Sequence, residues 1–149
     1  MLKHALLLIL LGAPASAQTL PVHGNWCGIG YSGANLPYLA PPTDALDAAC
    51  MRHDICTAYR GRFDCGCDLA FMGELRTTPW PNPGLGEKAR ATHEAIAMIP
   101  CTSPDGYALK MRLVANDWAS DMATGRQPPW QILNRLSHLA GTAMRASPW

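Results

Sequence analysis

Three residues in this chain combine types and spacings that could do chemistry: His53, Asp54 and Asp68. His53 and Asp54 lie inside Cys50-x-x-His53-Asp54-x-Cys56, and Asp68 closes Cys65-Gly66-Cys67-Asp68. An imidazole titrates near neutrality, which makes histidine the common proton acceptor in catalysis. Its usefulness here depends on whether a carboxylate stands beside it. Suppose the segments around His53 and Asp68 form two antiparallel helices turning near Gly61. Residues equidistant from the turn then face each other, and a Cys56–Cys67 bridge would hold His53 close to Asp68, one turn further from the hinge. An imidazole would sit beside a carboxylate on a stapled scaffold.

The elements that must position these residues are helical. Thr43 is the expected N-cap of a first helix, with Asp44 and Asp47 in its opening turn and an end near Tyr59, before Gly61. A second helix is expected from about Asp64 to Arg76. Pro79, Pro81, Asn82, Pro83, Gly84 and Gly86 mark an extended connector that cannot be helical throughout. Three further stretches have helical period: Ala89, His93, Ile96 and Ile99; Tyr107, Met111, Val114, Trp118 and Met122; and Leu133, Leu136, Ala140 and Met144. Pro128 and Pro129 separate the last two. From Leu20 to Pro42 the chain is rich in Gly, Pro, Asn and Ser and reads as an anchored loop, its Trp26, Tyr31 and Tyr38 in need of a packing surface. No internal repeat and no β alternation is evident. The expected fold class is all-α, a small disulfide-stapled helical domain with two antiparallel core helices.

Met1-Leu2-Lys3-His4 followed by the apolar run Ala5 to Leu11 and by Ala15-Ser16-Ala17 has the layout of a signal peptide. The run is too short to cross a bilayer. Residues 1–17 are therefore expected to be removed, leaving residues 18–149 as one domain in a secreted protein, extracellular or periplasmic. All six cysteines lie beyond residue 17, and an even number in an exported chain suggests three disulfides, with their pairing left open by spacing alone. Without Lys3, 11 Lys and Arg face 11 Asp and Glu. That balance argues against nucleic acid as the main partner, because phosphate-backbone binding needs a concentrated positive face. No later segment is apolar enough to span a membrane, and no lipidation motif is visible.

The segment Asp47-Ala48-Ala49-Cys50-Met51-Arg52-His53-Asp54-Ile55-Cys56 resembles the active-site helix of the secreted phospholipases A2. Upstream, Trp26-Cys27-Gly28-Ile29-Gly30-Tyr31-Ser32-Gly33 is similar to that family's calcium loop, and Cys65-Gly66-Cys67-Asp68 to the C-x-C-D of its second long helix. The three motifs occur in the family's order and cover roughly Gly24 to Phe71. The resemblance implies an N-terminal calcium-binding loop and a Ca2+ cofactor. It places His53 as the general base, Asp68 as the aspartate that orients it, and Gly28 as the backbone N–H at the oxyanion. Asp54 falls on the carboxylate that binds calcium, and Trp26, Gly28 and Gly30 fall on the loop residues whose carbonyls complete the protein ligands. The implied disulfides are Cys27–Cys50 and Cys56–Cys67, which leave Cys65–Cys101. Ala49 stands where many members have a second adjacent cysteine, and Thr57 where a tyrosine usually supports the aspartate. The short spacing from His53 to Asp68 and the missing N-terminal helix are closer to the compact and bee-venom branches than to the vertebrate ones.

The implied activity is calcium-dependent hydrolysis of the sn-2 acyl ester of glycerophospholipids at a membrane or micelle surface. Leu20, Val22, Trp26, Ile29 and Ala49 are candidates to line an acyl channel, and Tyr31, Leu36, Tyr38 and Leu39 to meet the lipid. Against this stand a non-catalytic lipid- or protein-binding module on the same fold, and a hydrolase of lysophospholipids or other esters. Zinc held by Cys56, Cys65, Cys67 and His53 is a further reading, disfavoured by export. His93, on an apolar face, reads as a core or rim histidine rather than a ligand. Arg52, Arg60 and Arg62 read as a solvated surface.

Overall fold

An aspartate, one residue later than expected, starts the first long helix. The computed structural model describes residues 20–30, 40–128 and 130–146, and in it helix α1 spans Ala45–Arg60. Its N-cap is Asp44, whose side chain accepts the N–H groups of Leu46 and Asp47, both at 3.0 Å. Thr43, the cap expected from sequence, instead gives its own N–H and hydroxyl to the Asp47 carboxylate. Gly61 ends the helix at φ +101°, where a side chain would be strained. Asp64 then caps α2, Cys65–Thr77.

The remaining helices are α3, Pro83–Met98; α4, Pro104–Ala123; and α5, Gln131–Ala146. Helix α3 begins earlier than its apolar period suggests. Asn82 caps it by accepting the Leu85 N–H at 2.8 Å, and Pro83 occupies the first position, where a missing N–H costs nothing. Gly84 and Gly86 thus lie inside a helix, and the extended connector stops at Asn82. Among the described residues there is also a small antiparallel ribbon of β1, Leu20–His23, and β2, Cys27–Ile29. No β alternation is visible in the sequence because the strands are three and four residues long and the pairing is irregular between Pro21 and His23.

Helices α1 and α2 pack antiparallel as a hairpin, whereas α2 and α4 run in the same direction and meet at every turn. Cys65 touches Gly106, Asp68 pairs with Lys110, Met72 packs with Val114, and Arg76 pairs with Asp117. These are steps of three or four residues on both helices, the spacing that keeps one face aligned. Gly106 permits the closest approach: a Cβ there would lie 2.5 Å from the Cys65 sulfur. The disulfide Cys65–Cys101 and the bond from Thr102 N–H to the Phe63 carbonyl (2.8 Å) hold the start of this register. Trp26, Leu46, Ala49, Phe71, Leu75, Leu85 and Ala89 form one apolar core, and Met72, Ala97 and Val114 a second.

His93 is fully buried, with Nε2 3.2 Å from Asp117 Oδ2. Burial depresses its pKa; Asp117 opposes that shift, and Arg90 and Arg76 add to it. The folded protein therefore holds His93 neutral where the unfolded chain would take up a proton. Its contribution to stability is complete above the ordinary histidine value of 6.5 and declines as pH falls below it. The melting temperature is expected to drop between pH 7.5 and 5, and His93→Gln to flatten that slope. Parallel slopes for the two proteins would refute the assignment.

Candidate active site

Helix α1 presents His53 and Asp54 side by side, and α2 brings Asp68 against the ring from across the hairpin. His53 Nε2 lies 2.9 Å from Asp68 Oδ1. The opposite nitrogen, Nδ1, lies 4.0 Å from Asp54 Oδ1. Phe71, one turn beyond Asp68, stacks on the imidazole with ring centroids 4.7 Å apart and planes 20° from parallel. The ring is thus held on one face and at Nε2. The His53 side chain keeps 15 % of its surface exposed, whereas the Asp68 side chain keeps only 6 %.

Asp68 is the anchor of the pair. Burial alone would push its pKa up, but hydrogen bonds from His53 and Lys110 outweigh burial and hold the carboxyl below its ordinary range. Lys110, from α4, is fully buried and donates to Asp68 Oδ2 and to the Ile99 carbonyl, the latter at 2.7 Å. Thr57 does not reach Asp68; its hydroxyl donates to the Asp54 carbonyl within α1. The support that the resemblance assigns to a tyrosine on α1 therefore comes from a lysine on a different helix.

The segment before the hairpin is tied to α1 at two points. Cys27 is bonded to Cys50, and the buried Asp47 accepts the N–H groups of Asn25 (2.8 Å) and Trp26 (2.7 Å). Gly24, at φ +58°, passes so close to Asp47 that a Cβ would fall 2.2 Å from its carboxyl carbon. Cys50 and Asp54 are one turn apart on α1, so the tethered segment lies along the side of the helix that carries Asp54. Asp47 was legible only as a first-turn charge; a carboxylate three residues before the tethering cysteine is the signal that could have marked it as a clamp.

Trp26 is buried in the core, its indole N–H donating to the Ala40 carbonyl at 2.8 Å. Gly28 stands opposite Pro21 in the ribbon, and proline has no N–H to offer the Gly28 carbonyl. Gly30 adopts φ +63°. Among the described residues no three His, Cys, Asp or Glu side chains converge as a metal cluster. A cation here would have to combine Asp54 with backbone carbonyls. Such an all-oxygen donor set fits a hard ion such as calcium and does not suit zinc.

The other disulfides are Cys56–Cys67 and Cys65–Cys101. With every cysteine oxidised, none is a thiolate that could hold zinc, which removes that reading. Of the acyl-channel candidates, Trp26 and Ala49 belong to the packed core and Ile29 is 63 % exposed. Val22 instead faces a cavity of about 430 Å³ between β1, α3 and α5, which Leu46, Ala91 and Leu139 also line. None of His53, Asp54 and Asp68 lines it. Tyr31, Leu36, Tyr38 and Leu39 lie outside the described residues, as does the expected signal segment 1–17. Arg52 pairs with Glu74, Arg60 with Asp64, and Arg62 lies over the Phe63 ring.

A histidine held by a buried aspartate, with a second carboxylate on its other side, is an arrangement that can accept a proton. The chain is similar to a phospholipase A2-gamma of Arabidopsis thaliana, 43 % identical over 49 residues. That match covers 33 % of this chain and 25 % of the plant protein, so the phospholipase A2-like relationship holds over a third of the chain. No family model matches. No solved structure matches.

Proposed function

We propose that this protein is a secreted, calcium-dependent phospholipase A2 that hydrolyses the sn-2 ester of glycerophospholipids at a lipid surface. The observation that carries the reading is the His53 Nε2 to Asp68 Oδ1 contact of 2.9 Å, with Nδ1 directed to the Asp54 side. The similarity to the plant phospholipase supports it. Residues 1–17 are proposed as the export signal and 18–149 as the catalytic domain; among the described residues no helix is long and apolar enough to cross a membrane.

In this reading His53 Nδ1 takes a proton from a water molecule as the water oxygen attacks the ester carbonyl. Asp68 keeps the remaining proton on Nε2 and stabilises the imidazolium once it forms. The Gly28 N–H is assigned to the developing oxyanion. When the tetrahedral intermediate collapses, His53 returns its proton to the departing glycerol oxygen, and fatty acid and lysophospholipid leave. Asp54 and the carbonyls of Trp26, Gly28 and Gly30 would hold calcium, which when bound supplies polarisation of the ester carbonyl and charge neutralisation.

The test is release of labelled fatty acid from sn-2-labelled phosphatidylcholine vesicles by oxidised protein, with calcium and with excess chelator. Release with calcium that stops on chelation is expected. Vesicle binding without release would turn the assignment to a non-catalytic module, and release from lysophospholipid alone to a different ester hydrolase.

A further inference from the structure

We propose that Lys110 is a positioning residue for the His53–Asp68 pair, fixing the Asp68 carboxylate from α4 so that Oδ1 faces the imidazole. The inference rests on the reading of His53 as the base and adds to it a part of the site supplied from outside the α1–α2 hairpin.

A carboxylate bound to one imidazole nitrogen can still swing about its Cβ–Cγ bond. In water, solvent would occupy its second oxygen; here Asp68 is 4 % exposed and Lys110 not at all. The ammonium takes that place. It donates to Oδ2 of Asp68 and to the Ile99 carbonyl, so one nitrogen ties the carboxylate to the last residue of the α3 cap. The α3 C-terminus is the negative end of that helix and favours a cation. Three elements therefore meet at Lys110: α2 through Asp68, α3 through Ile99, and α1 through His53 on the far side of the carboxylate.

The placement of Lys110 follows from the parallel register of α2 and α4. Gly106 and Cys65 touch, and one turn further along each helix come Lys110 and Asp68. A side chain at position 106 would separate the helices at the point from which this reach is measured. A charge-assisted bond to a carboxylate is stronger and more directional than a neutral one. An unpaired buried lysine would be costly, so the side chain has reason to remain on Asp68.

The test compares wild type, Lys110→Met, Asp68→Asn and the double variant, each verified as folded by circular dichroism and as fully oxidised. In the vesicle assay with calcium, Lys110→Met is expected to lower kcat about 10- to 100-fold, the cost of a misplaced catalytic group, with KM unchanged. In the Asp68→Asn background the same change should alter kcat less than twofold, because Lys110 acts only through that carboxylate. A merely structural role would give similar losses in both backgrounds. If Lys110→Met does not fold, Lys110→Leu, which also removes the donor at similar apolar volume, is judged by the same two criteria. Unchanged kcat in the single variant, or equal losses in both backgrounds, overturns the proposal while leaving the hydrolase reading intact. A wild-type protein that releases no fatty acid overturns both.

Discussion

Replacing His53 with Gln is expected to lower kcat for phospholipid hydrolysis by about 10²–10⁴-fold, the range a positioned general base contributes. The effect is large because one atom, Nδ1, moves the proton twice in the proposed mechanism. Glutamine has no group that titrates near neutrality. The effect is specific because the surroundings survive. Asp68 keeps its bonds from Lys110, Phe71 keeps its place in the core, and the Gln amide can still donate to Oδ1. None of the groups proposed to hold calcium is replaced, so if the proposed calcium site exists, its affinity by titration calorimetry is expected to match wild type. The melting temperature should change little. Retained turnover in His53→Gln would remove the base from the mechanism; joint loss of turnover and calcium binding would mean that the substitution had disturbed the site as a whole.

The largest expected loss of stability is at Glu94, whose partners are Arg90, Trp118 and Arg135 and not the residues of the proposed chemistry. Its carboxylate is fully buried and accepts from Arg135 (3.0 Å to Nε), Arg90 (3.0 Å) and the Trp118 indole (3.0 Å), joining α3 to α4 and α5. Burial would raise its pKa, but these donors outweigh that and hold it below the ordinary value. Glu94→Leu leaves Arg135, itself 5 % exposed, as an uncompensated buried cation. The expected cost is about 3–5 kcal/mol, read as a lower urea midpoint with an unchanged slope. Arg90 loses less, because it also contacts Asp121 at 3.1 Å. Adding Arg135→Met should recover much of the loss, since a buried ion pair replaced by apolar residues of similar size is often neutral. The stability that Glu94 contributes is complete above its ordinary value of 4.5 and is lost as pH falls through its lower folded value. A double variant no more stable than the single one would show that the charge pair is not the cause.

What the sequence disclosed and what it concealed divide along one physical line. The contact of His53 with Asp68 was legible because a helix hairpin stapled by Cys56–Cys67 makes that meeting a matter of local spacing. The extents of α4 and α5 follow from apolar period between prolines. Lys110 was not legible. A single lysine on a helix ordinarily points to solvent, and its burial comes from the parallel packing of α2 on α4, whose partner residues lie about 40 positions apart. Asp47 was hidden for a related reason: its backbone partners are 21 and 22 residues upstream. Glu94 and Arg135 were not legible either: each lies outside the apolar stripe that marks its helix, and their pairing joins residues 41 positions apart. The ribbon was too short to alternate, and Asp44 displaced Thr43 as the cap because Asp47 engages Thr43.

Cys65 and Cys67 share one turn of α2 yet bind opposite neighbours, Cys101 and Cys56. Exchanging these two positions during oxidation would turn α2 by about 200° about its own axis, at roughly 100° per residue. Asp68 would then face away from His53. The resulting isomer would have the correct mass, no titratable thiol and its full helical signal, and it would still lack the paired imidazole and carboxylate. The purity of a preparation of this protein is therefore defined by which sulfurs are joined, as read by peptide mapping, and not by how many remain reduced.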